Sequence, residues 1–165
     1  LILDGGPARC GIESTIVDAR GGRPVVLRLG SLPVEELVEA VGCPVEVRPV
    51  SSGQPTAPGT LAAHYAPRTP LRVVSASTPP PADGRRRGYL ALRELPPAGY
   101  AAVELLAPDG DLTQAAARLF DALHRLDATG VTEILAEQVP ETGLGRAIND
   151  RLRRAAATWQ PGDRP

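Results

Sequence analysis

The chain has 165 residues, 18 basic and 19 acidic side chains and a formal net charge of -1, which gives no overall attraction to nucleic acid or to an anionic membrane. No apolar run approaches the roughly 20 residues that span a bilayer, and no signal-peptide pattern is present. Cys10 and Cys43 are too few and too far apart for a metal site or disulfide framework, so the expected setting is soluble and cytoplasmic. Every basic residue is arginine, which suits bidentate recognition of phosphate or carboxylate and leaves any lysine chemistry to residues outside this stretch. The absence of methionine and the opening Leu-Ile-Leu-Asp read as a C-terminal piece of a longer protein, entered inside a buried strand over 1–4.

Residues 11–18, GIESTIVD, alternate and are rich in β-branched side chains, which predicts a strand. A turn at Gly21-Gly22 and a return strand over 24–28, PVVLR, complete an antiparallel hairpin. In that register Ser14 or Thr15 falls opposite Arg28, to within one residue. Two hydroxyls beside a guanidinium at a strand end form a donor-rich concavity suited to an anion. The same residues also read as ordinary strand positions with Arg28 capping a loop, and Glu13 is placed to pair with Arg28 and neutralise the concavity. A helix is expected over 31–41, with Pro33 and two glutamates in its first turn and Gly42 closing it. Glu35, Glu36 and Glu39 would form its solvated face, and a short strand over 45–48 follows.

Residues 49–70 read as a connection between two folded pieces. Within it, Pro55 to Pro67 is stiffened by proline and runs extended. It contains the chain's one adjacent histidine and tyrosine, His64 and Tyr65. Two readings stand side by side: a linker whose Tyr65 packs on the nearest domain, or a strap that crosses a site and delivers both rings into it.

Beyond the linker, strands are predicted over 71–74, 88–92, 101–105 and 132–136, with a loop over 78–87. Asp111 with Gln114 resembles a capping box, and Leu112, Ala116, Leu119, Leu123 and Leu126 follow at helical spacing until Gly130. Gly143-Leu-Gly145 precedes a last helix and is either an anion-binding helix entry or a plain tight turn. On that helix Leu144, Ile148, Leu152 and Ala155 form one stripe. Arg146, Arg153 and Arg154, with Arg151 nearby, form a basic face that either contacts RNA phosphates or is simply solvated. His124 reads as structural. Strands alternating with helices predict a small, mostly parallel, doubly wound α/β domain.

Taken in order, LILDGG, GIESTIVD, VVLRLG, the APG…HYAP linker and the closing GLGRAINDRLRRAA resemble the long form of the threonylcarbamoyl-AMP synthases, the YrdC/Sua-type family of tRNA modification. The resemblance covers nearly the whole chain. It implies that residues 1–48 are the C-terminal part of a YrdC-like catalytic α/β domain, 49–70 a Pro-rich linker and 71–160 an accessory Rossmann-like domain. It implies an ATP-dependent nucleotidyltransferase: L-threonine and bicarbonate form a carbamate that attacks ATP, giving threonylcarbamoyl-AMP and pyrophosphate, with Mg²⁺ accompanying ATP. A threonylcarbamoyl-transferase complex acting on tRNA is the implied partner. By position, Ser14 and Thr15 would line the nucleotide and threonine pocket, and Arg28 would be the catalytic group binding phosphate or carboxylate. His64 and Tyr65 would lie over the pocket as a lid. The family's upstream basic motif and Ser-x-Asn segment do not occur in this stretch, so the fragment alone is expected to be inactive. The competing reading is a non-catalytic α/β module binding a small molecule or tRNA through its arginine-rich helix.

Overall fold

The computed structural model describes residues 1–3, 5–6, 8–48 and 66–157. Among the described residues seven strands, accompanied by three helices, form two sheets. The first holds β1 (Ile16–Asp18), β2 (Val25–Arg28) and β3 (Glu46–Val47), in the order β1-β2-β3. The expected hairpin forms: β1 and β2 are antiparallel, and β3 joins β2 in parallel after helix α1 (Val34–Val41). The Asp18 carboxylate fastens the turn by accepting from the backbone N–H and the guanidinium of Arg20. These hydrogen bonds hold the Asp18 carboxyl well below the usual carboxylate range.

Three expectations for this part are corrected. Leu1 to Leu3 are fully exposed and form no strand, because no neighbouring ladder is present among the described residues for their backbone to join. The first strand covers only Ile16–Asp18 rather than 11–18. The carbonyls of Glu13 and Ser14 are taken by the Ser31 N–H and the Arg28 guanidinium instead of a strand ladder. The residue paired with Arg28 is Ile16, one position from Thr15 and so within the expected register, beside an irregularity between Ile16 and Val17. Helix α1 starts at Val34, after Pro33, rather than at Ser31.

The second sheet contains β4 (Leu71–Val74), β5 (Arg87–Ala91), β6 (Ala102–Leu105) and β7 (Glu133–Glu137), all parallel in the order β4-β7-β5-β6. Helix α2 (Leu112–Ala128) leads from β6 to β7, and α3 (Leu144–Ala157) follows β7. Asp111 caps α2 by accepting from the Thr113 N–H at 2.8 Å, while the Gln114 side chain turns to Arg118 and leaves the box half made. Every residue of β5 is buried, as a central parallel strand requires.

The doubly wound expectation is also corrected, since α2 and α3 pack on one face. Leu90, Ile134 and Ala136 of the sheet meet Leu119 and Leu126 of α2 and Ile148 and Leu152 of α3 in one core. Because β4 to β5 and β5 to β6 are joined by loops, no helix is available for the opposite face. That face is closed by Tyr89, Leu135 and Tyr100, whose rings and side chains form a second cluster. The Tyr100 hydroxyl donates to the Thr78 carbonyl at 2.7 Å and ties the β4–β5 connection down. Arg87, 3% exposed, does the same for the segment around Asp83 by bridging it to Glu133 on β7. The 143–145 turn is a close backbone approach: a Cβ on Gly145 would overlap the Pro140 carbonyl oxygen.

Candidate functional site

The two parts of the chain meet along one seam. Gly11 has φ +62, and a Cβ there would overlap backbone atoms of Ala116 and Ala117 on α2. The loop therefore lies directly on that helix, in a conformation costly for any other residue. Ile12 follows it into the main core of the second sheet. On the other side of the seam a Cβ on Gly30 would overlap Glu13, Ser14 and Thr15 backbone atoms. Segments 13–15 and 28–31 are thus pressed together, and the Ser31 N–H donates to the Glu13 carbonyl at 2.9 Å.

This contact brings Arg28 to Ser14. The buried Arg28 donates from Nε and Nη2 to the Ser14 carbonyl oxygen at 3.1 and 2.9 Å, and from Nη2 to Ser14 Oγ at 3.2 Å. Ser14 itself is exposed, so the pair opens to solvent at its hydroxyl end. Thr15 is oriented differently. Its hydroxyl donates to the Leu32 carbonyl at 2.7 Å and accepts from the Leu32 N–H at 3.1 Å, fixing the rim ahead of α1. His64 and Tyr65 lie outside the described residues.

Glu13, the anticipated competitor for Arg28, bonds elsewhere. Its Oε2 accepts from Arg151 Nε and Nη2 at 3.2 and 2.8 Å. Burial opposes the charge on Glu13, but the Arg151 hydrogen bond and the fields of Arg151 and Arg28 outweigh it and lower its pKa below the ordinary value.

The arginines of α3 do not form a solvated stripe. Arg151 and Arg154 are buried, at 1% and 5% exposure, and both donate to Asp150. Arg153 pairs with Glu141, and Arg146 with Glu35 of α1 at 3.2 Å. Helical spacing placed these arginines opposite the leucine stripe but held no sign of Glu13 and Leu29, which bind Arg151, or of Glu35 beside Arg146. Asn149, which the sequence reading passed over, donates to the Val139 carbonyl at 2.7 Å and accepts from its N–H at 3.0 Å, locking the segment just after β7 to α3. His124 is exposed beside a surface hollow of about 680 Å³ lined also by Arg68, Thr69 and Asp127. The Asp127 carboxylate there accepts from the Arg68 and Thr69 N–H groups and anchors the entry to β4.

Among the described residues no group of three or more His, Cys, Asp or Glu side chains is arranged to hold a metal, and no helix is long and apolar enough to cross a membrane. The seam offers hydroxyls, a guanidinium and a carboxylate already bound to Arg151. That donor set fits an anion and not a cation.

Known proteins are similar to this chain in sequence and in fold. The threonylcarbamoyl-AMP synthase of Pyrococcus abyssi (strain GE5 / Orsay) is 37% identical over 170 residues, a match covering 94% of this chain and 48% of the relative. That of Bacillus subtilis (strain 168) is 37% identical over 169 residues, again covering 94% and 48%. The chain spans about half the length of the curated relatives it matches. A crystal structure of P. abyssi Sua5 complexed with L-threonine superposes with a TM-score of 0.79 at 34% identity, covering 93% of this chain and 48% of that one. A P. abyssi Sua5 variant with an adjacent histidine and tyrosine both replaced by alanine superposes at 0.76 and 31% identity, covering 93% and 47%. Residues 32–157, from just before α1 onward, match the family described as threonylcarbamoyl-AMP synthase, C-terminal domain, and the chain therefore belongs to the threonylcarbamoyl-AMP synthase family.

Proposed function

We propose that this chain is the C-terminal portion of an L-threonylcarbamoyladenylate synthase acting in the cytoplasm in tRNA threonylcarbamoyladenosine modification. Residues 1–48 would complete a YrdC-like catalytic domain, 49–70 would be the linker and 71–160 the accessory domain. In the full enzyme, a carbamate formed from L-threonine and bicarbonate attacks the α-phosphorus of ATP and pyrophosphate leaves. A threonylcarbamoyl-transferase complex then passes the group to tRNA. The observation that carries this reading is the Arg28–Ser14 pair: a buried guanidinium held in a fixed orientation against an exposed hydroxyl. Fixed donors of this kind stabilise a carboxylate or the charge developing on a phosphate without reorganising. The L-threonine complex of the P. abyssi relative supports threonine as the substrate class.

Within the proposed site Arg28 binds substrate charge and Ser14 Oγ adds a hydrogen bond at its edge. Thr15 holds the Leu32 rim in place through its hydroxyl. His64 and Tyr65 are proposed to close over the pocket and keep water from the labile carbamate. The double alanine variant of a relative, in which an adjacent histidine and tyrosine were replaced together, supports interest in that pair. Mg²⁺ would arrive with the ATP phosphates. The described residues of the seam are not a metal-binding set, and no step is assigned to the ion. The tRNA-binding module is not favoured, because the arginines of α3 on which it rests are buried or engaged by Glu35, Glu141 and Asp150.

The test is threonine-dependent pyrophosphate release. In a full-length enzyme carrying this chain, Arg28→Ala is expected to lower kcat/KM about ten- to hundredfold, the loss of one charged hydrogen bond. Parental kinetics in that variant would remove Arg28 from the site. The isolated chain is expected to release no pyrophosphate.

A further inference from the structure

A hollow of about 680 Å³ opens where the chain enters β4, walled by Arg68 and Pro70, by the last turn of α2 and by Val131 and Thr132 ahead of β7. Its volume falls in the range of small-molecule sites, which are largely apolar with a few convergent polar groups. Pro70, Ala128 and the buried Val131 are the apolar part. The polar part carries both signs of charge.

The negative side is Asp127. Burial opposes its charge, but hydrogen bonds from Thr69 and from the Arg68 N–H outweigh it and lower its pKa below the ordinary value. Ala128, the last residue of α2, adds the negative end of the helix dipole. The positive side is Arg68. Its backbone N–H donates to Asp127 at 3.2 Å, while its side chain is exposed and forms no ion pair among the described residues. The exposed His124 ring lines the same hollow. Thr132 Oγ1 donates to the Arg86 carbonyl at 3.0 Å and keeps its lone pairs for a donor. A simple anion here meets Asp127 and the helix end, and a simple cation meets Arg68. A small zwitterion finds an opposite charge for each of its own.

We propose that this hollow is a binding site for a free α-amino acid, with its carboxylate on the Arg68 guanidinium, its ammonium group on Asp127 and the carboxyl end of α2, and a short side chain against Pro70, Val131 and the Thr132 hydroxyl. A planar carboxylate matches the guanidinium fork. Arg68 and Thr69 end the 49–70 connection, so a bound amino acid fastens that end to α2. The site gives the C-terminal domain a ligand of its own. It shares no residue with the Arg28–Ser14 pair and does not rest on the reading of Arg28.

L-threonine is the probe. Titrated into this chain, it should shift the ¹⁵N–¹H signals of the Arg68, Thr69 and Thr132 backbone amides along one saturable curve; the absence of saturation at all three would overturn the proposal. Arg68→Gln keeps the backbone N–H that Asp127 binds and should weaken this binding about tenfold or more, the loss of a charged hydrogen bond. Parental affinity in that variant would count against it. Threonine amide lacks the carboxylate and N-acetylthreonine lacks the ammonium group, so each should bind about tenfold or more weakly than threonine; equal binding of either would show that the hollow does not read a zwitterion. Shifts confined to Ser14 and Arg28 would place threonine at the seam only, which sinks this proposal and leaves the Arg28 reading standing. In the full-length enzyme carrying this chain, equilibrium dialysis should lose one bound threonine per chain on Arg68→Gln, and an unchanged count would also overturn it.

Discussion

The two sheets differ in how much of their own core they supply. In the parallel sheet β5 is buried along its whole length, and its two faces are closed by α2 and α3 on one side and the tyrosine pair on the other. The first sheet has few buried apolar residues: Ile12, Val26, Val34 and Leu37 among the described residues 1–48, and Ile12 belongs to the other sheet's core. Leu32, Val38, Val41 and Val47 remain exposed. The hydrophobic term scales with apolar area removed from water, so the first sheet depends on contacts it does not itself provide. The candidate site lies in that dependent part, at its border with the self-sufficient one.

Gly30→Ala should test this division most severely. Its Cβ would enter backbone atoms of 13–15 that no rotamer change can move, for an expected loss upwards of about 3 kcal/mol. Hydrogen exchange should show β1 and β2 losing protection while β5 and β7 keep theirs; equal loss in both sheets would make the two regions one cooperative unit. Ile134→Ala acts from the other side. Ile134 is fully buried, and truncation should cost about 2–5 kcal/mol, with urea unfolding showing a lower midpoint for the entire chain.

Smaller effects sharpen the same contrast. Asn149→Ala leaves the buried Val139 N–H and carbonyl without their side-chain partner and should cost about 1–3 kcal/mol, seen first as faster exchange at the start of α3. The Glu13–Arg151 pair gives the seam a pH dependence of defined sign. Glu13 has a folded pKa below its ordinary value, so its contribution is complete above the ordinary carboxylate pKa and is lost as pH falls through the lowered one. Acid titration should therefore release β1 protection before that of β5, and Glu13→Gln should remove the difference. Glu137 is the smallest case and runs the opposite way. Burial raises its pKa, with the Leu92 N–H hydrogen bond opposing and the charge of Glu94 adding to the rise. Glu137→Gln keeps an acceptor for Leu92 and should raise the melting temperature at neutral pH by a gain under about 1 kcal/mol.

Local chemistry was legible wherever it decided the outcome. Alternation with β-branched residues marked the hairpin, helical spacing and an Asp cap marked α2, and the turn at Gly21-Gly22 placed Ser14 within reach of Arg28. Asn149 was not legible, because a side-chain bond to a backbone ten residues away leaves no periodic trace.

From residue order alone, then, this protein has two α/β pieces, a hairpin that sets a hydroxyl beside a guanidinium, and the ordered motifs of its family. Tertiary structure decided the rest: β1 is short, both helices share one face, and Glu13 is bound by Arg151 and not claimed by Arg28. The reason is range. Backbone pattern and turn geometry act over a few residues, whereas the partner that settles Glu13 lies 138 positions along the chain and meets it only once both sheets are built.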